Sequence, residues 1–151
     1  MFVDWQVKEL FKRVVTDPHY WVAMILGPCV WLLLWFILGQ PSLSGASVQL
    51  LLYGVVLYPV LEELAFRGFL QTWLLEKKLF RTAAFSRITR ANLATSFLFA
   101  AFHLFNQPPI WAAMIFAPSL VFGYLRDRYE AVSPSIIVHA WYNLGFLLLF
   151  G

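Results

Sequence analysis

Residues 57–72 read LYPVLEELAFRGFLQT. They place Glu62, Glu63 and Arg67 inside an apolar run that starts at Val48 and ends at Leu75, just before Glu76-Lys77-Lys78. In hydrocarbon each such charge costs about 2.5–3.5 kcal/mol on insertion scales, so an ionisable cluster at this depth marks a functional site. The run is longer than one straight span needs. Pro59 predicts a bend that frees a backbone carbonyl, which is tolerated where the backbone is buried in protein or lines a wet cavity.

The rest of the chain has the composition that such a segment requires. It is 61% hydrophobic, 19% aromatic and only 13% charged, against about 25% charged in a soluble domain. The expected fold is all-α: a polytopic transmembrane bundle of about five spans, preceded by an interfacial amphipathic helix. One domain is expected over residues 1–151, with 48–151 as the motif-bearing core and no separate soluble domain. Cys29 stands alone, so no intrachain disulfide or cysteine metal site is available, and it reads as a small buried apolar residue. The net charge of +3 fits membrane topology better than nucleic-acid binding.

Working outward, residues 1–16 read as an amphipathic helix within an N-terminal interfacial segment, 1–19. Phe2, Trp5, Leu10, Phe11 and Val14 can share one side, away from Lys8, Lys12 and Arg13. Asp17-Pro18 breaks it. Asp4 and Glu9 argue against an ordinary signal peptide. Further spans are expected at 20–38, 48–75, 92–105 (a shorter one), 110–125 and 134–151, with bends at Pro28 and Pro118. Pro109 and Ser133-Pro134 read as helix starts. Residues 39–47 form an uncharged turn, and 76–91 a basic loop or interfacial segment.

Every Lys and Arg lies in 1–13, 67–90 or 126–128. With five spans those regions share one side, and the connections 39–47 and 106–109 on the other side carry none. The positive-inside rule then puts the N-terminus in the cytoplasm and the C-terminus outside, in a multi-pass protein of the cell (inner) membrane.

Helix rise places the remaining polar residues. Counting from Lys77, Arg90 and Arg128 as cytoplasmic marks, Glu62 lies roughly 22 Å in, His103 roughly 20 Å and His139 roughly 16 Å. Three helices therefore bring ionisable groups to one layer, and Asn143 follows His139 by one turn on the same face. Arg67 has a partner in Glu63, four residues before it. That pairing reads as a buried salt bridge fixing helix packing and leaves Glu62 free for chemistry, since neighbouring helical residues point about 100° apart. Taken alone, His103 reads as a core residue and His139 with Asn143 as a helix-to-helix hydrogen-bonding pair; convergence at one depth is what makes them site candidates. His19, at the interface, is assigned no chemistry.

A carboxylate can take a proton from water, and a neighbouring imidazole can hold or relay it. The other imidazole and an amide can donate to a developing oxyanion. Together they describe peptide-bond hydrolysis without a covalent intermediate. The competing reading is metal-assisted, because two His and one Glu form a zinc ligand set. The compact HExxH motif is absent, and Asn143 is a better amide donor than a zinc ligand. The residues favour the metal-free reading and keep zinc as the alternative. No Ser-His-Asp arrangement and no glycine-rich phosphate loop is suggested.

Glu62-Glu63-x-x-x-Arg67, then Phe99-x-x-x-His103, then His139-x-x-x-Asn143 resemble the three motifs of the CAAX-protease and bacteriocin-processing family, also called CPBP or Abi. Order and internal spacing agree, over roughly residues 48–150. The resemblance implies a glutamic-type intramembrane endopeptidase with no cofactor. It implies that Glu62 activates water, that His103 assists, that His139 and Asn143 form the oxyanion site, and that Glu63 and Arg67 support it. The implied partner, besides the bilayer, is a peptide or protein with a membrane-associated tail, such as a C-terminal sorting tail of the JDVT type; no nucleic acid is implied. Other members are linked to bacteriocin maturation or self-immunity. A different class stays open on the residues alone: a non-catalytic immunity, scaffold or transport protein that keeps its charges for packing or ligand binding.

Overall fold

The computed structural model describes residues 2–38 and 47–150. Its elements, in order, are α1 (Phe2–Val15), α2 (Pro18–Leu38), α3 (Val48–Leu75), α4 (Lys78–Arg81), β1 (Ala83–Phe85), β2 (Ile88–Thr89), α5 (Arg90–His103), α6 (Pro109–Tyr129) and α7 (Ser133–Phe150). Helices α2, α3, α6 and α7 are long and apolar enough to cross a membrane. At 92–105, where a fifth and shorter span is expected, α5 has 14 residues, about 21 Å of helix, and is not among the helices long and apolar enough to cross. The protein is a multi-pass helical membrane protein. Large apolar side chains such as Phe36 and Val48 stand more than 80% exposed on their helices, an arrangement that lipid stabilises and water does not. The turn expected at 39–47 lies, except for Ser47, outside the described residues.

Two compact units divide the chain: residues 1–58 with 140–151, and residues 59–139. In the first, Asp17 ends α1 and accepts from the His19 N–H at 3.0 Å, capping α2. The apolar side expected for α1 is split: Val14 is buried and Phe11 exposed. Pro28 lies inside α2 and cannot donate to the carbonyl four residues back, which is that of Met24. The Trp141 indole N–H donates to that carbonyl at 3.0 Å, and the Tyr142 hydroxyl to Ala23 at 2.6 Å. Gly145 lets the Trp31 ring come so close that a Cβ there would overlap it. Cys29, expected among buried residues, is instead exposed on α2, because the buried side of that helix passes through Tyr20, Ala23 and Leu34.

Helix α3 is not uniformly α. Residues Leu52–Leu57 and Leu64–Gln71 are wound as π-helix on either side of an α stretch, Tyr58–Glu63. In the first π stretch the Tyr58 N–H donates to Tyr53, five residues back. The next bond of that series would run from residue 59 to Gly54, but Pro59 has no N–H. The Gly54 carbonyl is thereby freed, and the Asn143 amide donates to it at 2.8 Å. The bend expected at Pro59 thus takes the form of a widened helix whose released carbonyl is satisfied by a side chain.

In the second unit, residues 76–91 hold more structure than the expected loop: the short helix α4 and an antiparallel hairpin of β1 and β2, turned at Ser86, whose φ is 48°. Thr89 caps α5 by accepting from the Asn92 N–H at 3.0 Å. Pro109 opens α6 as its first residue, as expected. The Asn92 side chain reaches the Leu120 carbonyl at 3.0 Å and lies against Gly123, where a Cβ would overlap it. α5 and α6 therefore pack at backbone distance through small residues, as membrane helices do.

Candidate active site

Within residues 59–139, four helices present the polar side chains that an apolar core would otherwise exclude. Glu63 and Arg67 are fully buried and form an ion pair at 3.2 Å, one turn apart on α3. A second Arg67 nitrogen, Nη2, donates to the hydroxyl and the carbonyl of Ser119 on α6, at 2.6 and 2.9 Å. The guanidinium carbon also sits 4.5 Å from the centre of the Phe99 ring and 5.5 Å from that of Phe122. Two aromatic faces, a carboxylate and a backbone carbonyl thus replace the water that this cation gives up.

The pairing expected between Glu63 and Arg67 is present, but it does not leave Glu62 free. His139, on α7, approaches Glu63 through Nδ1 at 2.9 Å and Glu62 through Nε2 at 3.6 Å. An ionised carboxylate only accepts, so Nδ1 carries the hydrogen towards Glu63. The 100° between adjacent helical positions does not keep the two glutamates apart, because the imidazole lies between them and meets one on each nitrogen. Glu63 is fully buried, whereas the Glu62 side chain keeps 24% of its surface exposed. Of the two, Glu62 is the carboxylate with exposed side-chain surface.

His103, half-buried at the end of α5, donates Nδ1–H to the Phe99 carbonyl at 2.8 Å. A carbonyl accepts only, so the neutral ring keeps its lone pair on Nε2. The Phe99 ring joins the two histidines, with centroids 4.7 Å from His103 and 5.9 Å from His139. Phe122 stacks on His139 at 4.6 Å. The structure therefore brings Glu62, Glu63, Arg67 and His139 into direct contact and links His103 to them through Phe99. Asn143 follows His139 on α7 but belongs to the other compact unit, where its amide donates to Gly54.

Several supporting residues escape a reading of the sequence. Ser119 and Phe122 hold Arg67 and His139, and Gln71 and Thr95 lie in the same unit. Neutral side chains cost little in a helix and leave no mark in an apolar run. The one visible signal is spacing: Glu63, Arg67 and Gln71 recur every fourth residue, as do Ser119, Gly123 and Asp127. Among the described residues, no group of three or more His, Cys, Asp or Glu side chains is arranged to hold a metal ion.

A multi-pass helical protein with a buried carboxylate–imidazole–guanidinium cluster falls in the class of intramembrane hydrolases. The family model described as type II CAAX prenyl endopeptidase Rce1-like matches residues 43–145. The chain belongs to that CAAX-protease (CPBP, Abi) family and is a glutamic-type intramembrane endopeptidase, of a family whose proteases work without a metal. No curated protein and no solved structure matches it.

Proposed function

We propose that residues 1–151 act as one protease domain in which Glu62 takes a proton from water while the hydroxide attacks the scissile carbonyl carbon. His103 assists: with its Nδ1–H donated to Phe99, its Nε2 lone pair can accept a hydrogen bond from the same water. The proton gained by Glu62 can pass to His139 Nε2, 3.6 Å away. His139 then becomes an N–H donor at the moment the tetrahedral oxyanion forms, with Asn143 as the second donor, assigned from its spacing of one turn on the same helix. Collapse of the intermediate breaks the C–N bond and returns the proton to the leaving amine. Glu63 and Arg67 hold His139 in register.

The observation that carries this reading is the chain of contacts Arg67–Glu63–His139–Glu62, in which only the last member is accessible. The substrate proposed is a small secreted or membrane-anchored protein, cut near a C-terminal sorting tail or similar peptide. The N-terminus is proposed to be cytoplasmic and the C-terminus exterior, from the confinement of Lys and Arg to alternate connections. The test is cleavage of tailed substrates in detergent by wild type and Glu62→Gln. The variant should lose about 10⁴-fold in rate, the upper range for a general base, with an unchanged or slightly higher melting temperature. A Glu62→Gln protein that cleaves at the wild-type rate would remove Glu62 from the chemistry.

A further inference from the structure

Among the described residues five buried polar side-chain atoms have no hydrogen-bond partner. Glu63 Oε2 and Arg67 Nη1 belong to the ion pair; the other three are Arg67 Nε, Gln71 Oε1 and Thr95 Oγ1. All three residues are fully buried. Leaving such atoms unpaired is costly, and proteins satisfy them with internal water that makes about three hydrogen bonds.

The neighbouring contacts put these atoms together. Phe66 packs on Phe99 and Phe102, with centroids 5.0 and 6.0 Å apart, while Gln71 Nε2 and the Asn92 side chain both meet Gly123. Going up in number along α3 thus means going down along α5, so the two segments run antiparallel. Phe99 faces Arg67. Thr95, one turn earlier on the same face, then lies level with Gln71, one turn beyond Arg67.

Chemistry fixes the direction of each group. Gln71 donates its amide nitrogen to two acceptors, the Gly123 carbonyl at 2.9 Å and Asp127 Oδ1 at 2.8 Å. The amide cannot be flipped without facing oxygen to oxygen, so Oε1 is an acceptor turned away from α6. Arg67 Nη2 is committed to Ser119; Nη1 is ion-paired with Glu63 but, like Nε, has no hydrogen-bond partner among the described residues, and Nε–H is the donor outside the ion pair. The Thr95 hydroxyl can do either. A donor, an acceptor and a hydroxyl fit neither an anion, which Oε1 would repel, nor a cation, which Arg67 would repel.

We propose that Arg67 Nε, Gln71 Oε1 and Thr95 Oγ1 form a binding site for one internal water. It accepts from Arg67, donates to Gln71 and bonds to the Thr95 hydroxyl. Through it α5 takes hold of the arginine that Glu63 pairs with, so the site fixes the guanidinium from the face opposite its carboxylate. The inference does not depend on which residue activates the hydrolytic water.

The test is an experimental structure of the full chain at a resolution that shows ordered water, for wild type, Thr95→Val and Thr95→Ser, with melting curves of each in the same detergent. The expected result is one solvent peak within about 3 Å of all three atoms, present in wild type and Thr95→Ser and missing in Thr95→Val. Thr95→Val should melt a few degrees lower, and Thr95→Ser should recover most of that loss. A wild-type structure with no peak there, or with Thr95 bonded directly to Gln71, overturns the site. So does a peak that persists in Thr95→Val.

Discussion

The two compact units put their polar side chains to opposite uses. In residues 1–58 with 140–151, Trp141, Tyr142 and Asn143 are neutral donors, and each reaches a backbone carbonyl: Met24, Ala23 and Gly54. Two of those carbonyls are freed by prolines, Pro28 and Pro59. In residues 59–139, Glu62, Glu63, Arg67 and His139 bind one another and share Ser119 and two aromatic rings. The first arrangement repairs defects in helix geometry, whereas the second keeps charges in hydrocarbon where no repair is needed. Repair needs only neutral hydrogen bonds of modest net strength. A buried charge cluster is tolerated only when complete, so its loss is felt as a block.

The sharpest way to break that contrast is to remove one charge. Arg67→Ala leaves Glu63 buried beside Glu62 with no cation, and removing one member of a buried pair costs about 3–5 kcal/mol. Arg67→Ala and Glu63→Ala should both lower thermal stability in detergent and abolish cleavage, whereas Glu62→Gln should abolish cleavage alone. A stable but inactive Glu63→Ala beside a collapsed Glu62→Gln would exchange the roles of the two glutamates.

The same contrast explains what could be read in advance. Glu62, Glu63 and Arg67 stand out because each is expensive in an apolar run, and His103 and His139 because helix rise carries them to the same depth. Four of the five expected spans were legible from length and hydropathy, and the Glu63–Arg67 pair from spacing. That His139 would sit between both glutamates was not, because the ring's position is set by packing against Phe99 and Phe122. Nor were the π-helical stretches of α3, the first of which ends where Pro59 lacks an N–H and a distant side chain bonds the released carbonyl. The hairpin at 83–89 was hidden for another reason: strands this short carry too few residues to show alternation.

Asn143 stands where the two uses meet. The oxyanion role proposed for it predicts a loss of about 10²–10³ in rate for Asn143→Ala. Its bond to Gly54 predicts in addition a stability loss of about 1–3 kcal/mol, from a carbonyl left unsatisfied. Pro59→Ala separates the two effects, since it restores an N–H five residues after Gly54. In that background Asn143→Ala should cost less in melting temperature while the rate loss persists. A rate loss that vanishes together with the stability loss would make Asn143 a repair residue and nothing more.

The smallest expected effect tests the repair principle away from the chemistry. Trp141→Phe removes the N–H that bonds the Met24 carbonyl at 3.0 Å and keeps an aromatic ring against Trp31, whose centroid lies 5.1 Å away. The expected loss is about 1 kcal/mol, the net worth of one neutral hydrogen bond, with cleavage unchanged. Ring area lost on going from indole to phenyl contributes as well, so a single variant is ambiguous. Pro28→Ala resolves it, because residue 28 then supplies its own N–H to Met24 and the indole bond becomes redundant. The area term is the same in both backgrounds and cancels in the double-mutant cycle. Trp141→Phe should therefore cost measurably less in the Pro28→Ala protein than in wild type. Equal costs in the two backgrounds would mean that Trp141 stabilises by packing alone and that the proline-freed carbonyl is not what it serves.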